Sequence, residues 1–157
     1  MYLLAWRSRM EVHRMCRTRK KRPKTIKQQQ KHLIVIGGPT ASGKTGLAIE
    51  VAQHFDTEII SGDSRQFYRE MEVGNARPTS EELVAVPHHF IADRSIQEPL
   101  TAGRFAAEAL VKLEDIFSRK DHAILVGGSG LYLRALCEGL DEFPEVTEAA
   151  RTQVQSV

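Results

Sequence analysis

The chain has 157 residues, 41% of them hydrophobic, which is enough to build one globular domain around one core. The formal net charge of +2 divides unevenly, because residues 1–31 hold eleven Lys or Arg against one acidic residue, whereas residues 32–157 hold eleven against nineteen. Two cysteines and the lack of a long apolar run exclude a disulfide-stabilised secreted domain and a membrane-spanning protein, so we expect a cytoplasmic protein.

The basic leader, residues 1–31, shows neither helical nor strand periodicity. Its most basic run is residues 17–24, and because like charges repel, we expect the leader to be disordered in isolation. An RNA-binding arm, a transit peptide and a nuclear signal are all compatible with this composition. The sequence favours a solvated or misassigned N-terminal extension, because no feature of the leader is related to the phosphate site described below. Met10 and Met15 are alternative translation starts.

A phosphate-binding loop follows the first predicted strand, His32–Ile36, and opens a helix that runs to about Phe55. It satisfies the pattern G-x-x-x-x-G-K-S/T without substitution. Its glycines let successive N–H groups face phosphate oxygens, Lys44 adds a cation, and the Thr45 hydroxyl can ligate Mg²⁺. The predicted phosphate-binding residues are Gly38, Pro39, Thr40, Ala41, Ser42, Gly43, Lys44 and Thr45. We therefore predict binding of a di- or triphosphate with Mg²⁺, although the loop does not specify the reaction.

The next predicted strand, Thr57–Ser61, is short and rich in β-branched residues. It ends just before Asp63, which should therefore lie at the carboxyl end of a strand. Residues 74–78 read as a loop. Thr79–Glu82 has the pattern of a capping box, which predicts a short helix that Pro87 ends.

The second half of the chain continues the alternation of helix and strand. Thr101–Arg119 is the clearest helix, followed by a strand at Ala123–Val126 and a helix at Leu131–Leu140 that Gly139 ends. The predicted apolar face of the long helix consists of Phe105, Ala109, Leu110, Leu113, Ile116 and Phe117. This order predicts an α/β fold, a P-loop NTPase-like parallel sheet flanked by helices. Residues 141–157 end without a stop signal, so we expect a C-terminally truncated fragment.

Three segments should meet at one edge of this sheet, because the phosphate-binding loop, Asp63 and the turn at Gly127–Gly130 all follow strands. A bare carboxylate beside phosphates would repel them. Asp63 therefore either approaches through Mg²⁺ or serves a second substrate as a base. The remaining alternative is that Asp63 only caps a turn.

Smaller features near this edge allow more than one interpretation. His88 and His89 lack partners at metal-ligand spacing, so packing or hydrogen bonding is favoured over a zinc site. Phe67 and Tyr68 could stack on a base, although a core role for Phe67 is equally compatible with its type. Three arginines could contact phosphate or RNA, or be solvated: Arg65, Arg69 and Arg77.

Five motifs in order make residues 32–157 resemble the tRNA dimethylallyltransferase (tRNA isopentenyltransferase) family. The matching runs are residues 37–45, 62–68, 74–79, 87–90 and 126–132. Ser129 stands where members of that family usually have Thr, which keeps the hydroxyl, and Asn75 also replaces a commoner Thr. The leader lies outside the resemblance.

The resemblance implies transfer of a dimethylallyl group from dimethylallyl diphosphate to N6 of adenosine 37, beside the anticodon of a tRNA, with release of diphosphate. In this reaction Asp63 matches the base, and Lys44 and Thr40 contact the donor. The positions that match tRNA contacts are Asp63, Ser64, Arg65, Gln66, Ser129 and Arg151. Attack requires the target base to leave the stack of the anticodon loop.

Family members continue well beyond the last residue here, so residues 32–157 are expected to be the N-terminal part of the P-loop prenyltransferase domain. We expect a monomer in which the donor site forms, while RNA binding and turnover could fail in this chain alone. The alternatives are an adenylate isopentenyltransferase, a P-loop small-molecule kinase that uses ATP, and an inactive RNA-binding fragment.

Overall fold

The computed structural model of the chain describes residues 2–7, 30–71, 74 and 76–141. Within these residues there are four helices and five strands, and the strands form one sheet. The strands are β1 Tyr2–Arg7, β2 His32–Gly37, β3 Ile59–Ser61, β4 His88–His89 and β5 His122–Gly127. The helices are α1 Lys44–His54, α2 Ser80–Ala85, α3 Ala102–Arg119 and α4 Gly130–Glu138.

The sheet has the order β1–β2–β5–β3–β4, and its last four strands are all parallel. Parallel neighbours need long crossover connections, and helices supply them here. In the register, Ile34 lies opposite Ile124, which in turn lies opposite Ile59 of β3. The prediction of an α/β fold with a parallel, helix-flanked sheet is confirmed.

The first strand differs from the other four because it runs antiparallel to β2. Tyr2 lies opposite Gly37, and Arg7 lies opposite His32. The sequence predicts no strand in this segment, and the structure differs there because the strand depends on pairing with a distant edge. The rest of the basic leader, residues 8–29, lies outside the described residues.

Apolar side chains cover both faces of the sheet. On one face, α3 and α4 pack on strand residues in a cluster that includes Ile60, Phe67, Phe105, Leu113 and Ile116. On the other face, α1 packs on a smaller cluster that includes Ile36, Ala48, Ala52, Ile59 and Ile124. Burial of these faces is the main term that stabilises the fold. In the described part of the chain, no helix is long and apolar enough to cross a membrane.

The predicted buried face of α3 is correct except at Leu110, which is 51% exposed. Each residue turns a helix by about 100°, so Leu110 lies at the margin of the face centred on Ala109, Leu113 and Ile116. The helix starts after Thr101, whose hydroxyl accepts a hydrogen bond from the Arg104 amide.

Local signals also explain where two other helices begin or end. The capping box predicted for α2 is confirmed, because Thr79 and Glu82 each accept a hydrogen bond from the other's backbone N–H. At the end of α4, Gly139 has a φ of 82°, a conformation that glycine adopts readily.

Candidate active site

The phosphate loop, residues 38–45, joins the end of β2 to the start of α1. Ala41 and Gly43 have φ values of 62° and 78°, so the backbone curls in the left-handed region at both positions. Gly43 precedes the first residue of α1 and has no side chain to cap it, which leaves the first amides of the helix for an anion. The loop is anchored to the sheet, where the Gly38 N–H donates to the Gly127 carbonyl oxygen.

Lys44 is only 9% exposed although it carries a charge. Its ammonium group donates a hydrogen bond to the carbonyl oxygen of Pro39, within the same loop. This contact holds the cation over the curled backbone, which is the place predicted to bind phosphate. The structure therefore places Lys44 where it can neutralise an anion held by the loop amides.

Close packing of β3 against β5 brings Asp63 to the same edge. The Gly62 N–H donates to the Val126 carbonyl oxygen at 2.7 Å. A Cβ on Gly62 would lie 2.7 Å from a methyl group of Leu133, so no larger residue fits without movement. Asp63 follows directly and lies beside the phosphate loop.

Two adjoining clefts open at this edge. The first cleft has a volume of about 290 Å³ and is lined by residues 40–46 together with Asp63 and Gln66. Its remaining wall includes the apolar residues Pro78, Ile91 and Val126. The second cleft, about 320 Å³, is lined by Thr40, Asp63, Ser64, Arg65, Gly74, Gly128 and Ser129. The predicted meeting of the three strand ends is confirmed, and Thr40 and Asp63 line both clefts.

The Asp63 carboxylate is partly exposed and holds its own turn. Its Oδ1 accepts from the Arg65 N–H at 3.1 Å, and its backbone carbonyl accepts from the Gln66 N–H. The turn-capping alternative is therefore present in the structure. It does not exclude a role as a base, because the turn uses Oδ1, whereas Oδ2 lies at the turn after β5, 3.5 Å from a Cβ built on Gly128.

The other predicted RNA contacts lie in different surroundings. Ser64 and Ser129 lie together at the second cleft, where the Ser129 hydroxyl accepts from the Ser64 N–H at 3.0 Å. Arg65 is exposed on the rim. Gln66 is only 9% exposed, since its amide accepts from the Ser61 hydroxyl and donates to the Ala76 carbonyl. Arg151 lies outside the described residues. Their roles in RNA binding stay predictions.

Beyond Arg65, the aromatic and basic residues that follow Asp63 contribute to the fold rather than to the rim of the clefts. Phe67 is fully buried and stacks on Phe105 at 5.4 Å, which confirms its core role. The Tyr68 hydroxyl accepts from the Leu100 N–H at 3.0 Å. Arg69 donates to the Asp93 carbonyl and Arg77 to the Tyr68 carbonyl, so both guanidinium groups bind backbone of this chain.

The two histidines of β4 have the hydrogen bonds that the sequence favours. His88 Nδ1 donates to the Val86 carbonyl at 2.7 Å, and burial lowers the pKa of His88. His89 Nε2 donates to a carboxylate oxygen of Glu58 at 2.7 Å, and Arg119 donates to the other at 2.6 Å. Among the described residues, no three His, Cys, Asp or Glu side chains are grouped so that they could hold a metal ion.

Glu58 is the buried carboxylate of this cluster, with a side chain only 12% exposed. Burial alone would raise the pKa of Glu58, but the hydrogen bonds from His89 and Arg119 outweigh it, so the pKa lies below its ordinary value. Glu58 precedes β3, at the opposite end of that strand from Asp63. It therefore joins β3, β4 and α3 and has no part in the clefts.

Sequence reasoning missed the apolar wall of the first cleft. Val126 could have been found, because it ends the predicted strand beside the glycine turn. Ile91 could not, since it follows β4, a strand of two residues that carries no periodicity of its own. Pro78 reads as part of a loop in the sequence.

Comparison with known proteins supports one family. The family model described as IPP transferase matches residues 66–157, more than half of the chain. The tRNA dimethylallyltransferase of Flavobacterium johnsoniae is 52% identical over 126 residues, which are 80% of this chain and 41% of that protein. Solved structures are similar to this chain as well.

The full-length tRNA isopentenylpyrophosphate transferase of Bacillus halodurans superposes with a TM-score of 0.67 at 36% identity, covering 79% of this chain and 41% of that one. A eukaryotic dimethylallyltransferase acting on tRNA gives a TM-score of 0.66 at 30% identity, covering 74% and 30%. The chain thus spans about two-fifths of the length of the curated relatives it matches. An adenylate isopentenyltransferase and a small-molecule kinase are not favoured by these comparisons. The chain belongs to the IPP transferase family.

Proposed function

We propose that this chain provides the donor site and the base of a tRNA dimethylallyltransferase. The enzyme transfers the dimethylallyl group of dimethylallyl diphosphate to N6 of adenosine 37 in tRNA and releases diphosphate. The observation that carries this proposal is the pair of adjoining clefts that share Thr40 and Asp63. One cleft suits a diphosphate ester, and the other opens beside a carboxylate.

The lining of the first cleft matches an amphiphilic donor. The phosphate loop and Lys44 line this cleft with N–H donors and a cation, and Pro78, Ile91 and Val126 add apolar surface beside the polar side chains of Ser61, Glu82 and His88. A five-carbon prenyl group would remove this surface from water, and its diphosphate would occupy the loop. Thr40, at the junction of the clefts, is proposed to contact the donor.

The oxygen atoms available at the loop suit Mg²⁺. The Thr45 hydroxyl and the Asp63 carboxylate both line the first cleft, and hydroxyl, carboxylate and phosphate oxygens are the ligands that this ion prefers. We propose that Thr45 would hold the ion together with the diphosphate. Bound there, it would supply positive charge that offsets the negative charge of the donor.

In the proposed reaction, the N6 nitrogen of the adenine attacks the first carbon of the prenyl group. A C–N bond forms, the C–O bond to the diphosphate breaks, and its electron pair leaves on the diphosphate oxygen. The N6 proton passes to the carboxylate of Asp63, which becomes a carboxylic acid. Lys44 and the loop amides stabilise the charge that develops on the departing group.

The acceptor side is proposed to be the anticodon loop of a tRNA. Ser64, Arg65 and Ser129 line the second cleft, where an unstacked base could enter from solvent. Asp63, Gln66 and Arg151 complete the proposed set of tRNA contacts. We propose that the protein acts as a monomer in the cytoplasm, where tRNA is available.

A labelling experiment tests this function. The chain is incubated with Mg²⁺ and dimethylallyl diphosphate labelled in the prenyl group, with unmodified tRNA in one reaction and AMP in another. Label in tRNA and not in AMP supports the proposal, and label in AMP overturns it. A parallel reaction uses ATP labelled in its γ-phosphate. Transfer of that phosphate to tRNA or AMP would overturn the proposal.

Because the chain spans only part of its relatives, donor binding is measured separately by equilibrium dialysis. Binding of dimethylallyl diphosphate in preference to ATP supports the donor site even where no transfer follows. Failure to bind the prenyl donor, in a chain whose circular dichroism shows the folded state, would overturn the assignment.

A further inference from the structure

The hydroxyl of Ser129 is used in an unexpected way. Ser129 is the residue before α4, a position where a serine side chain commonly accepts hydrogen bonds from the first amides of its helix. It makes no such bond here. Its Oγ instead accepts from the Ser64 N–H and donates to the Ser64 hydroxyl, both at 3.0 Å, across 65 positions of sequence.

These two bonds join the turn after β5 to the turn after β3. The second turn carries Asp63, whose Oδ1 is held by the Arg65 N–H two residues on. The first turn lies between the phosphate loop and Asp63, since a Cβ built on Gly128 would lie 3.4 Å from the Gly38 carbonyl oxygen and 3.5 Å from Asp63 Oδ2. A change in either turn therefore changes the distance between loop and carboxylate.

We infer that Ser129 is a positioning residue, which fixes the Asp63 turn against the turn that adjoins the phosphate loop. This role rests on the proposed function, because it matters for catalysis only if Asp63 is the base. It is a separate role from the tRNA contact proposed above for Ser129, and the effects of a substitution on kcat and on the KM for tRNA distinguish the two. The Ser129 hydroxyl already bonds both the N–H and the hydroxyl of Ser64, so most of its hydrogen-bonding capacity is used within the chain.

Amide hydrogen exchange, followed by NMR, tests the inference on the chain itself. In Ser129→Ala, exchange at Ser64 should be about five- to tenfold faster, the effect of losing one neutral hydrogen bond. The exchange rate of the Arg65 amide should also rise, because its N–H is bonded to Asp63 and its protection depends on the order of the whole turn. Ser129→Thr keeps a hydroxyl and should restore both rates. The matched control is Ser118→Ala, which removes an exposed hydroxyl that donates to the Asp115 carbonyl within α3.

The kinetic arm separates positioning from binding. Ser129→Ala should lower kcat about tenfold while the Kd of dimethylallyl diphosphate stays constant, since the donor contacts lie on the phosphate loop. Ser64→Ala is a milder second variant. It keeps the bond from the Ser64 N–H to Ser129 and loses only the bond between the two hydroxyl groups.

Two results would overturn the inference. One is unchanged exchange at Arg65 in Ser129→Ala, which would show that the bonds do not hold the Asp63 turn. The other is a rise in KM for tRNA with unchanged kcat, as expected of a simple RNA contact. If the folded chain failed to bind dimethylallyl diphosphate, the proposed function would fail, and the exchange rates would still decide whether Ser129 holds this turn.

Discussion

Gly127 and Gly62 face each other at the carboxyl ends of β5 and β3, with no room for a side chain between them. A Cβ on Gly127 would lie 2.4 Å from the carbonyl oxygen of Gly62 and 3.0 Å from its Cα. The two strands are paired up to Ser61 and Val126, one residue earlier. The close approach lets the turn after each strand contact the other, and it brings Asp63 and the phosphate loop to one pair of clefts.

Gly127→Ala should therefore destabilise the protein. The added methyl group meets backbone atoms, which cannot rotate away, so the strand ends must separate. We expect a loss of about 1–3 kcal/mol in the free energy of unfolding, measured by urea denaturation. Gly130→Ala is the matched control, because nothing lies within 4 Å of its Cβ and the residue opens α4. A stability equal to that of the parent in Gly127→Ala would contradict the packing described here.

Asp63→Asn should lower turnover by about 10²–10⁴-fold while leaving donor binding nearly unchanged. The amide oxygen of Asn can still accept from the Arg65 N–H, so the turn is kept and only the ability to take a proton is lost. Single-turnover transfer of labelled prenyl group measures the rate. Glu81→Gln, an exposed change on α2, is the control. Unchanged turnover in Asp63→Asn would remove Asp63 from the role of base.

Lys44→Ala should slow the chemical step by about 10²–10³-fold, because it removes the cation that stabilises negative charge on the departing diphosphate oxygen. The same variant loses the contact with the Pro39 carbonyl, so urea denaturation must accompany the kinetics. Lys112→Ala removes a cation of α3 that lies 4.0 Å from Asp115, and serves as the control. An effect of Lys44→Ala on stability alone would count against a role in catalysis.

Glu58 should make stability depend on pH. Its pKa in the folded protein is lowered from 4.5, so the carboxylate stabilises the fold at neutral pH, and this contribution is lost as the pH falls below about 4.5 through the folded-state pKa. Glu58→Gln should cost about 1.5–3 kcal/mol at pH 7 and much less at pH 3, since its bonds to His89 and Arg119 involve a charged acceptor. Urea denaturation at both values measures the difference.

The control for this pH dependence is Glu50→Gln, an exposed change on α1. It should alter the free energy of unfolding little at either pH. A cost of Glu58→Gln that is the same at pH 7 and pH 3 would show that charge on Glu58 does not contribute.

Much of the fold follows from local sequence. The capping residues Thr79 and Thr101, the apolar spacing of α3 and the glycine at 139 each act within a few positions, so the ends of those helices can be predicted. The convergence of three segments at one edge also follows, because it needs only that the strands be parallel. Two features without a local signal could not be predicted: the strand Tyr2–Arg7, which depends on the edge of β2, and the two-residue β4.

The site shows the same division. The spacing of the glycines, Lys44 and Thr45 predicts the phosphate loop, and the position of Asp63 after a strand predicts its edge. The bonds between Ser64 and Ser129 depend on the strand order, which places β5 between β2 and β3. Sequence spacing does not contain that order.

The central position of β5 has a consequence for enzyme engineering. Neighbouring strands lie about 4.8 Å apart, so main-chain hydrogen bonding separates β2 from β3 by roughly 10 Å. Replacing side chains on β2 or β3 cannot widen that gap. Under the proposed function, we expect that a variant for a longer isoprenoid needs a smaller residue at Pro78 or Ile91. The distance between the phosphate loop and the Asp63 carboxylate would then stay as it is.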